Sequence, residues 1–188
     1  MQRHLTSLDD PELDQRLASA TLVCWLRTRQ LYRLPGEADE WAAWRTGDAA
    51  ASTRCTARWR QQVLEPARAE GRTVRAVHVV HTPMTPYMRF RMDCYWFTMG
   101  AGEQVKMIVQ APGRWPQGVL RQDVLLADGP GDAGLVLLPQ WSEGHGHLER
   151  SELTDDPKVV AWAREMCRRA WEHPQARLLN ALPLPYEG

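Results

Sequence analysis

Lysine is almost missing from this chain of 188 residues: only Lys106 and Lys158 are present, so 21 of the 23 basic side chains are arginine. Against them stand 23 Asp and Glu, which leaves a formal net charge of zero. A neutral chain lacks the long-range positive field that draws a protein to nucleic acid. Long apolar runs are missing as well. The longest pure stretches are short, such as Leu135–Leu138, far below the roughly 18 to 20 residues of a membrane helix, and this excludes such a span. Met1–Asp14 carries four acidic residues and no apolar stretch, and the patch at Leu22–Leu26 comes too late for a secretory signal. A cytoplasmic location is therefore expected.

Several catalytic scaffolds are absent too. There is no Gly-x-Ser-x-Gly elbow, no phosphate-cradling Walker loop and no Gly-x-Gly-x-x-Gly between a strand and a helix. Acyl transfer, P-loop chemistry and dinucleotide binding therefore lack their usual local frames. The four cysteines, Cys24, Cys55, Cys94 and Cys167, are 31, 39 and 73 positions apart with no Cys-x-x-Cys pair. They read as buried thiols, and neither a metal site nor a cofactor is expected. What is abundant is tryptophan. Nine are dispersed from Trp25 to Trp171, a distribution that suits core and interface packing better than a single aromatic box.

The hydrophobic periodicity outlines an α/β chain of the α+β kind, a mixed sheet flanked by helices. Asp9-Asp10-Pro11 has the cap-then-proline form of a helix start, with Leu13, Leu17 and Ala20 at helical spacing. Val23–Tyr32 alternates as a strand. Helices are expected over Glu37–Arg45 and Ser52–Glu70, the second ended or kinked by Pro66. Thr73–His81 has apolar residues on both faces, as a central strand does. Tyr87–Trp96 fits helix and strand equally. Val105–Gln110 alternates, and Asp123–Ala127 and Gly134–Gln140 flank a Gly- and Pro-rich turn in hairpin form. A strand at His147–Leu153 and a second cap-then-proline helix from Thr154-Asp155-Asp156-Pro157 to Trp171 close the pattern. One domain is expected, with a helical extension over 1–22, a core over 23–175 and an irregular tail over 176–188.

Histidine is the natural place to look for proton transfer or metal binding. His78 and His81 lie three apart on one strand, which sets them on opposite faces and argues against a shared metal, though either alone could serve a site. His145 and His147 have ligand-like spacing but lack a third ligand nearby, so a Gly-rich loop is preferred. Between Ser52 and Met92 eight arginines face only Glu65 and Glu70, a local excess of positive charge that would serve nucleic acid only if those arginines shared one face. Tyr87, Arg89 and Arg91 are placed near a sheet edge, where guanidinium forks suit an anion.

Certain segments carry a family resemblance: Tyr32–Asp48 with Trp41 and Trp44, Gly71–Val80, Tyr87-Met88-Arg89-Phe90, Ala101–Lys106 and the closing helix with Trp171. They resemble the actinobacterial DUF-6879 family, whose function is uncharacterised, over about 23–171. That family often carries acidic and aromatic residues where this chain has Arg27 and Val124–Ala127. The element order also looks like half of a phospholipase-D-like domain, whose His-x-Lys-x4-Asp signature would fall on Arg121, Asp123 and Asp128. Guanidinium is no nucleophile and a carboxylate repels phosphate, so the resemblance implies a degenerate, non-cleaving site.

From these features the expected function is a non-catalytic ligand-binding or protein-interaction module in bacterial regulation. Arg75, His78, Tyr87, Arg89 and Glu103 are the candidate ligand-binding residues. The partner would be a small ligand or a protein such as a helix-turn-helix regulator, with a homodimer favoured by the surplus tryptophans. An enzyme of specialised metabolism is the alternative, with His78 and Glu103 as its acid–base groups. A nucleic-acid partner is a second, disfavoured alternative.

Overall fold

The structure is a computed structural model that describes residues 2–5, 7–8, 10–34, 37–131 and 133–182. In chain order it comprises β1 (Gln2–Leu5), α1 (Pro11–Ser19), β2 (Leu22–Arg27), α2 (Ala38–Arg45), α3 (Ala51–Trp59), α4 (Glu65–Ala69), β3 (Thr73–His81) and α5 (Pro86–Gly100). Then come β4 (Gln104–Gln110), β5 (Val124–Asp128), β6 (Gly134–Trp141), β7 (Leu148–Thr154), α6 (Pro157–Glu172) and β8 (Ala176–Leu178). The strands form one sheet in the order β1-β7-β6-β5-β2-β3-β4-β8. Its β2, β3 and β4 run parallel, and every other neighbouring pair is antiparallel. The mixed α+β architecture is therefore the one the periodicity implies.

Three helices start with the same device. Asp10 accepts from the amides of Glu12 and Leu13 at 3.1 and 3.0 Å before Pro11. Thr85 Oγ1 accepts from Met88 N at 3.1 Å before Pro86, and Asp156 Oδ1 from Lys158 N at 2.8 Å before Pro157. Each cap satisfies amides that have no partner within the helix, and the proline fixes φ where its missing N–H costs nothing. The ambiguous stretch at Tyr87–Trp96 is thus helix.

Alternation along the strands sorts side chains to two faces. On the first, Val23, Trp25, Val74, Leu125, Ala127, Leu135 and Leu137 pack beneath Leu13, Leu17, Val63, Leu64 and Ala67, and α5 covers Ala76 and Val80 with Met88, Met92 and Tyr95. On the second, Cys24, Leu26, Val77, Val79, Leu126 and Val136 meet Val160, Ala163, Cys167 and Ala170 of α6. Burying each Leu or Val here contributes about 1.5–3 kcal/mol. At Gly134 a Cβ would come within 2.5 Å of Val160 Cγ1, so α6 lies directly on the backbone of β6.

Several expectations are corrected. Gln2–Leu5, expected inside a helical extension, is a strand that pairs with β7. β2 ends at Arg27 and does not run to Tyr32, because Thr28 N donates to the Asp123 carboxylate at 2.7 Å instead of continuing the ladder. Pro66 does not end the helical run but stands in the first turn of α4, after Arg60–Leu64 forms a π turn with Glu65 N bonded to Arg60 O. The tail is not wholly irregular, since Ala176–Leu178 pairs with β4. Asp9, Pro35, Gly36, Asp132 and the prolines at 183 and 185 lie outside the described residues. No helix among the described residues is long and apolar enough to cross a membrane.

Candidate functional site

The five residues singled out from the sequence do not form one site. His78 points from β3 toward α5 and has no accessible surface. Its Nε2 donates to the Arg29 carbonyl at 2.7 Å, and its Nδ1 accepts from the Tyr95 hydroxyl at 2.9 Å. Because a carbonyl only accepts, the partners set this tautomer. Burial, with Arg27 and Arg91 nearby, pulls its pKa to about 3, so the ring is neutral and both nitrogens are engaged. Tyr87, on α5, donates to Glu37 Oε2 at 2.8 Å, and the Arg91 guanidinium holds Glu37 Oε1. Burial and the Glu37 charge push the Tyr87 hydroxyl well up. Burial also raises the Glu103 carboxyl, against the pull of Thr98, Arg27 and Arg91.

The other two stand apart. Arg75 projects from the opposite face of β3, bonding Gln104 Oε1 at 3.2 Å and lying 4.6 Å over Trp171. Arg89 is on the exposed side of α5. His78, Tyr87 and Glu103 are thus buried, Tyr87 beside a small cavity of about 240 Å³, while Arg75 and Arg89 lie apart, and the expected anion fork of Tyr87, Arg89 and Arg91 is not assembled. Among the described residues no group of three His, Cys, Asp or Glu could hold a metal ion.

The excess of arginine between Ser52 and Met92 dissolves in three dimensions. Arg54 pairs with Glu40 and Asp48, Arg58 with Asp14, Arg60 with Glu65, Arg72 with Glu70 and Arg91 with Glu37. Most of these carboxylates come from outside the window. The cysteines fall into neighbouring pairs, Cys24 with Cys167 and Cys55 with Cys94, and burial together with the neighbouring thiol raises Cys167 and Cys55.

The central residue of this region, Arg27, stood out in the sequence as a departure from the family but was not among the candidate ligand-binding residues. Arg27 ends β2 on the face beneath α5 and is only 8% exposed. Its guanidinium lies 3.8 Å over the Trp25 ring, with Tyr32 and Tyr95 at 5.8 and 6.0 Å. Among the described residues no carboxylate comes within ion-pair distance of it, and its Nε has no hydrogen-bond partner; Trp25 Nε1 is likewise buried and unpaired. A buried cation is ordinarily paired, because desolvation costs several kcal/mol. The available signal was an arginine at an inward-alternating strand position.

Trp25 also forms part of a cavity of about 350 Å³. Its floor is Trp25, Leu125 and Leu137, and its wall is Cys55, Trp59 and Val63 beside the π turn. Arg33, Arg58, Asp14 and His147 ring the mouth. The Trp25 and Trp59 rings meet edge-on at 5.8 Å, and the wider π turn sets the spacing of Trp59, Gln62 and Val63 along this wall. The result is an aromatic, mostly apolar chamber with a cation one ring's width away, the composition of a small-molecule site.

The residues aligned with the phospholipase-D-like signature do not converge. Asp123 is buried and accepts from Thr28 and Trp141, while Arg121 lies exposed against Trp115. Asp128 is at the far end of β5, paired with Arg164.

Comparison with known proteins adds little about function. The archaeal chromatin protein TrmBL2, whose structure shows a novel mode of DNA binding, is similar at 12% sequence identity and a TM-score of 0.42. That match covers 91% of this chain and 52% of the TrmBL2 chain, so this chain spans about half its length. No curated protein matches. Residues 11–176 match the family model described as a domain of unknown function, DUF6879, and the chain belongs to that family.

Proposed function

We propose that this chain is a non-catalytic ligand-binding module acting in regulation, and that its ligand is a ring-bearing, largely apolar molecule with one acidic group. The observation that carries this is Arg27. It is a nearly buried guanidinium with no carboxylate partner, stacked on the ring that floors the cavity. Arg27 is not itself a lining residue, so it would attract an acidic group across the Trp25 ring, in addition to acting on the Glu103 and Asp123 carboxyls near it, and the aromatic walls would hold the apolar body. The groups favoured for catalysis are occupied elsewhere: His78 has both nitrogens engaged, and Glu103 is 6% exposed. An enzyme of specialised metabolism would need one of them to reach substrate.

Two dyes test the proposal. Anilinonaphthalene sulfonate and phenylnaphthylamine share their rings and differ in the sulfonate. Arg27→Met is expected to weaken the sulfonate at least about tenfold and leave the neutral dye within about twofold, while Val63→Trp, which fills the chamber, weakens both. Equal affinities of the two proteins for the sulfonate overturn the role of Arg27, and indifference of both dyes to Val63→Trp overturns the cavity.

A second reading rests on a different surface. Trp96 and Phe97 on α5 are exposed at 36% and 38%, beside a shallow depression of about 380 Å³ that includes Trp44. Such a patch suits a protein partner, either a second copy of the chain or a helix-turn-helix regulator. Nucleic acid is the least supported partner, because the arginines of 54–91 are largely neutralised within the fold. A degenerate phospholipase-D-like origin has little support, because only Asp128 of the three signature positions lies in the sheet, while Arg121 and Asp123 precede β5.

A further inference from the structure

The carboxyl ends of the three parallel strands meet at one edge of the molecule, and the segments leaving them there are basic. Thr28 and Arg29 leave β2, His81 ends β3, and Pro112–Trp115 leave β4. Arg121 enters from the segment before β5. Together they line a cleft of about 510 Å³ whose lining includes no carboxylate. Its position, outside the carboxyl ends of parallel strands, is where open α/β sheets receive ligands, since loops from adjacent strands splay apart there.

The side chains around the cleft are held in place by neutral acceptors. The Arg29 guanidinium donates to the carbonyls of Ser142 and Trp141, both at 3.2 Å, which fixes it through neutral acceptors and leaves other N–H donors free. His81 Nε2 donates to the Arg114 carbonyl at 2.9 Å and ties the loop after β4 across the end of β3. Trp115 is anchored through its indole N–H to the Val119 carbonyl. On that ring lie Arg121, 5.0 Å from the centroid, and His81, at 5.9 Å. Among the described residues the Arg114 and Arg121 side chains have neither a hydrogen bond nor an ion pair. This contrasts with Arg3, Arg54, Arg60, Arg72, Arg91 and Arg168, each of which holds a carboxylate.

We propose that this cleft is a second binding site, separate from the aromatic chamber, and that it takes a phosphoryl group borne by a small polar molecule. Guanidinium forks match tetrahedral phosphate oxygens with paired donors, and three of them suit a dianion better than a single carboxylate. Arg121 and His81 both lie against the Trp115 ring, which gathers the donors around one compact anion. The cleft is several times larger than one phosphate, and the remaining space accommodates the body that carries it.

The test uses isotope-labelled protein and three probes: inorganic phosphate, glycerol phosphate and glycerol. Both phosphates are expected to shift the His81 ring and Trp115 indole resonances, the ester more tightly than the free ion, with glycerol inert. Arg114→Gln with Arg121→Gln is expected to weaken the ester at least about tenfold, whereas Arg150→Gln, on β7, changes nothing. Raising the salt concentration should weaken binding, as it does for partly exposed charge contacts. If free phosphate binds as tightly as the ester, the site is one for the ion alone and the polar-body claim falls. If neither phosphate moves these resonances, or if the double variant binds as the parent does, the proposal is overturned. Arg114 and Arg121 are exposed, so an unchanged melting temperature separates lost binding from lost folding.

Discussion

Arginine is used in two opposite ways in this molecule. Beneath α5, Arg91 is 7% exposed and shares Glu37 with Tyr87, a closed arrangement in which every charge has a counterpart. At the carboxyl ends of β2, β3 and β4, Arg114 and Arg121 stand open, with no counterpart among the described residues. The first group contributes specificity of packing and would be costly to break. The second contributes almost nothing to stability and is available to a ligand. Arg27 lies between these extremes, buried like Arg91 yet unpaired like Arg114. Burial and pairing are thus separate variables, and function is to be sought where they disagree.

Substitutions put this contrast to the test. The largest effect is expected from Arg91→Leu, which leaves Glu37 buried without its cation and should cost about 3–5 kcal/mol in denaturant unfolding. Adding Glu37→Leu should return much of that loss, because two apolar side chains leave no charge behind. A full loss persisting in the double variant would show that the pair is not a closed unit.

His78 gives a smaller effect, read as a slope. Its folded pKa, about 3, lies below the value of 6.5 usual for histidine. The unfolded chain therefore binds a proton across that window while the folded chain does not, and stability falls as pH drops from about 6.5 toward 3. The contribution is about 1.4 kcal/mol per pH unit at most. His78→Gln should flatten that part of the profile whatever its effect at neutral pH. Glu103 and Asp123, both raised by burial, act with the opposite sign and keep their protons longer in the fold.

Arg27→Met should change stability by no more than about 1 kcal/mol, because relief of a buried charge without an ion pair is offset by the loss of its field on the Glu103 and Asp123 carboxyls. A loss like that of Arg91→Leu would place Arg27 with the structural arginines instead. Smallest of all, Arg114→Gln with Arg121→Gln should alter unfolding by less than about 0.5 kcal/mol, as exposed substitutions usually do.

How far this could be read from the sequence depended on how local each signal was. β3, β4, the β5–β6 hairpin and α6 were legible because alternation, a Gly- and Pro-rich turn or a cap-then-proline start is written within a few neighbouring residues. α5 carries the same cap at Thr85-Pro86, but Pro83 just before it made the stretch look like a breaker. β1 and β8, with four and three residues, are edge strands too short to show a period. Of the site, His78 was singled out as a histidine on the central strand and Tyr87 as a neighbour of Arg89 and Arg91; these two and Glu103 are buried, but the anion fork expected around Tyr87 is not assembled. Glu37 was not singled out, because its partners Tyr87 and Arg91 lie 50 and 54 positions away. The cleft residues come from four separate segments and meet only once the sheet is assembled.

Gly134 ties two distant positions into one heritable unit. With only a hydrogen between β6 and Val160, the seam under α6 has no slack, and even a methyl group at 134 would act as a wedge. Positions 134 and 160 can therefore drift only in step, the helix residue shrinking whenever the strand residue grows. Two substitutions that are each harmful alone become tolerable together, so the distance between α6 and the sheet passes down as a property of the pair.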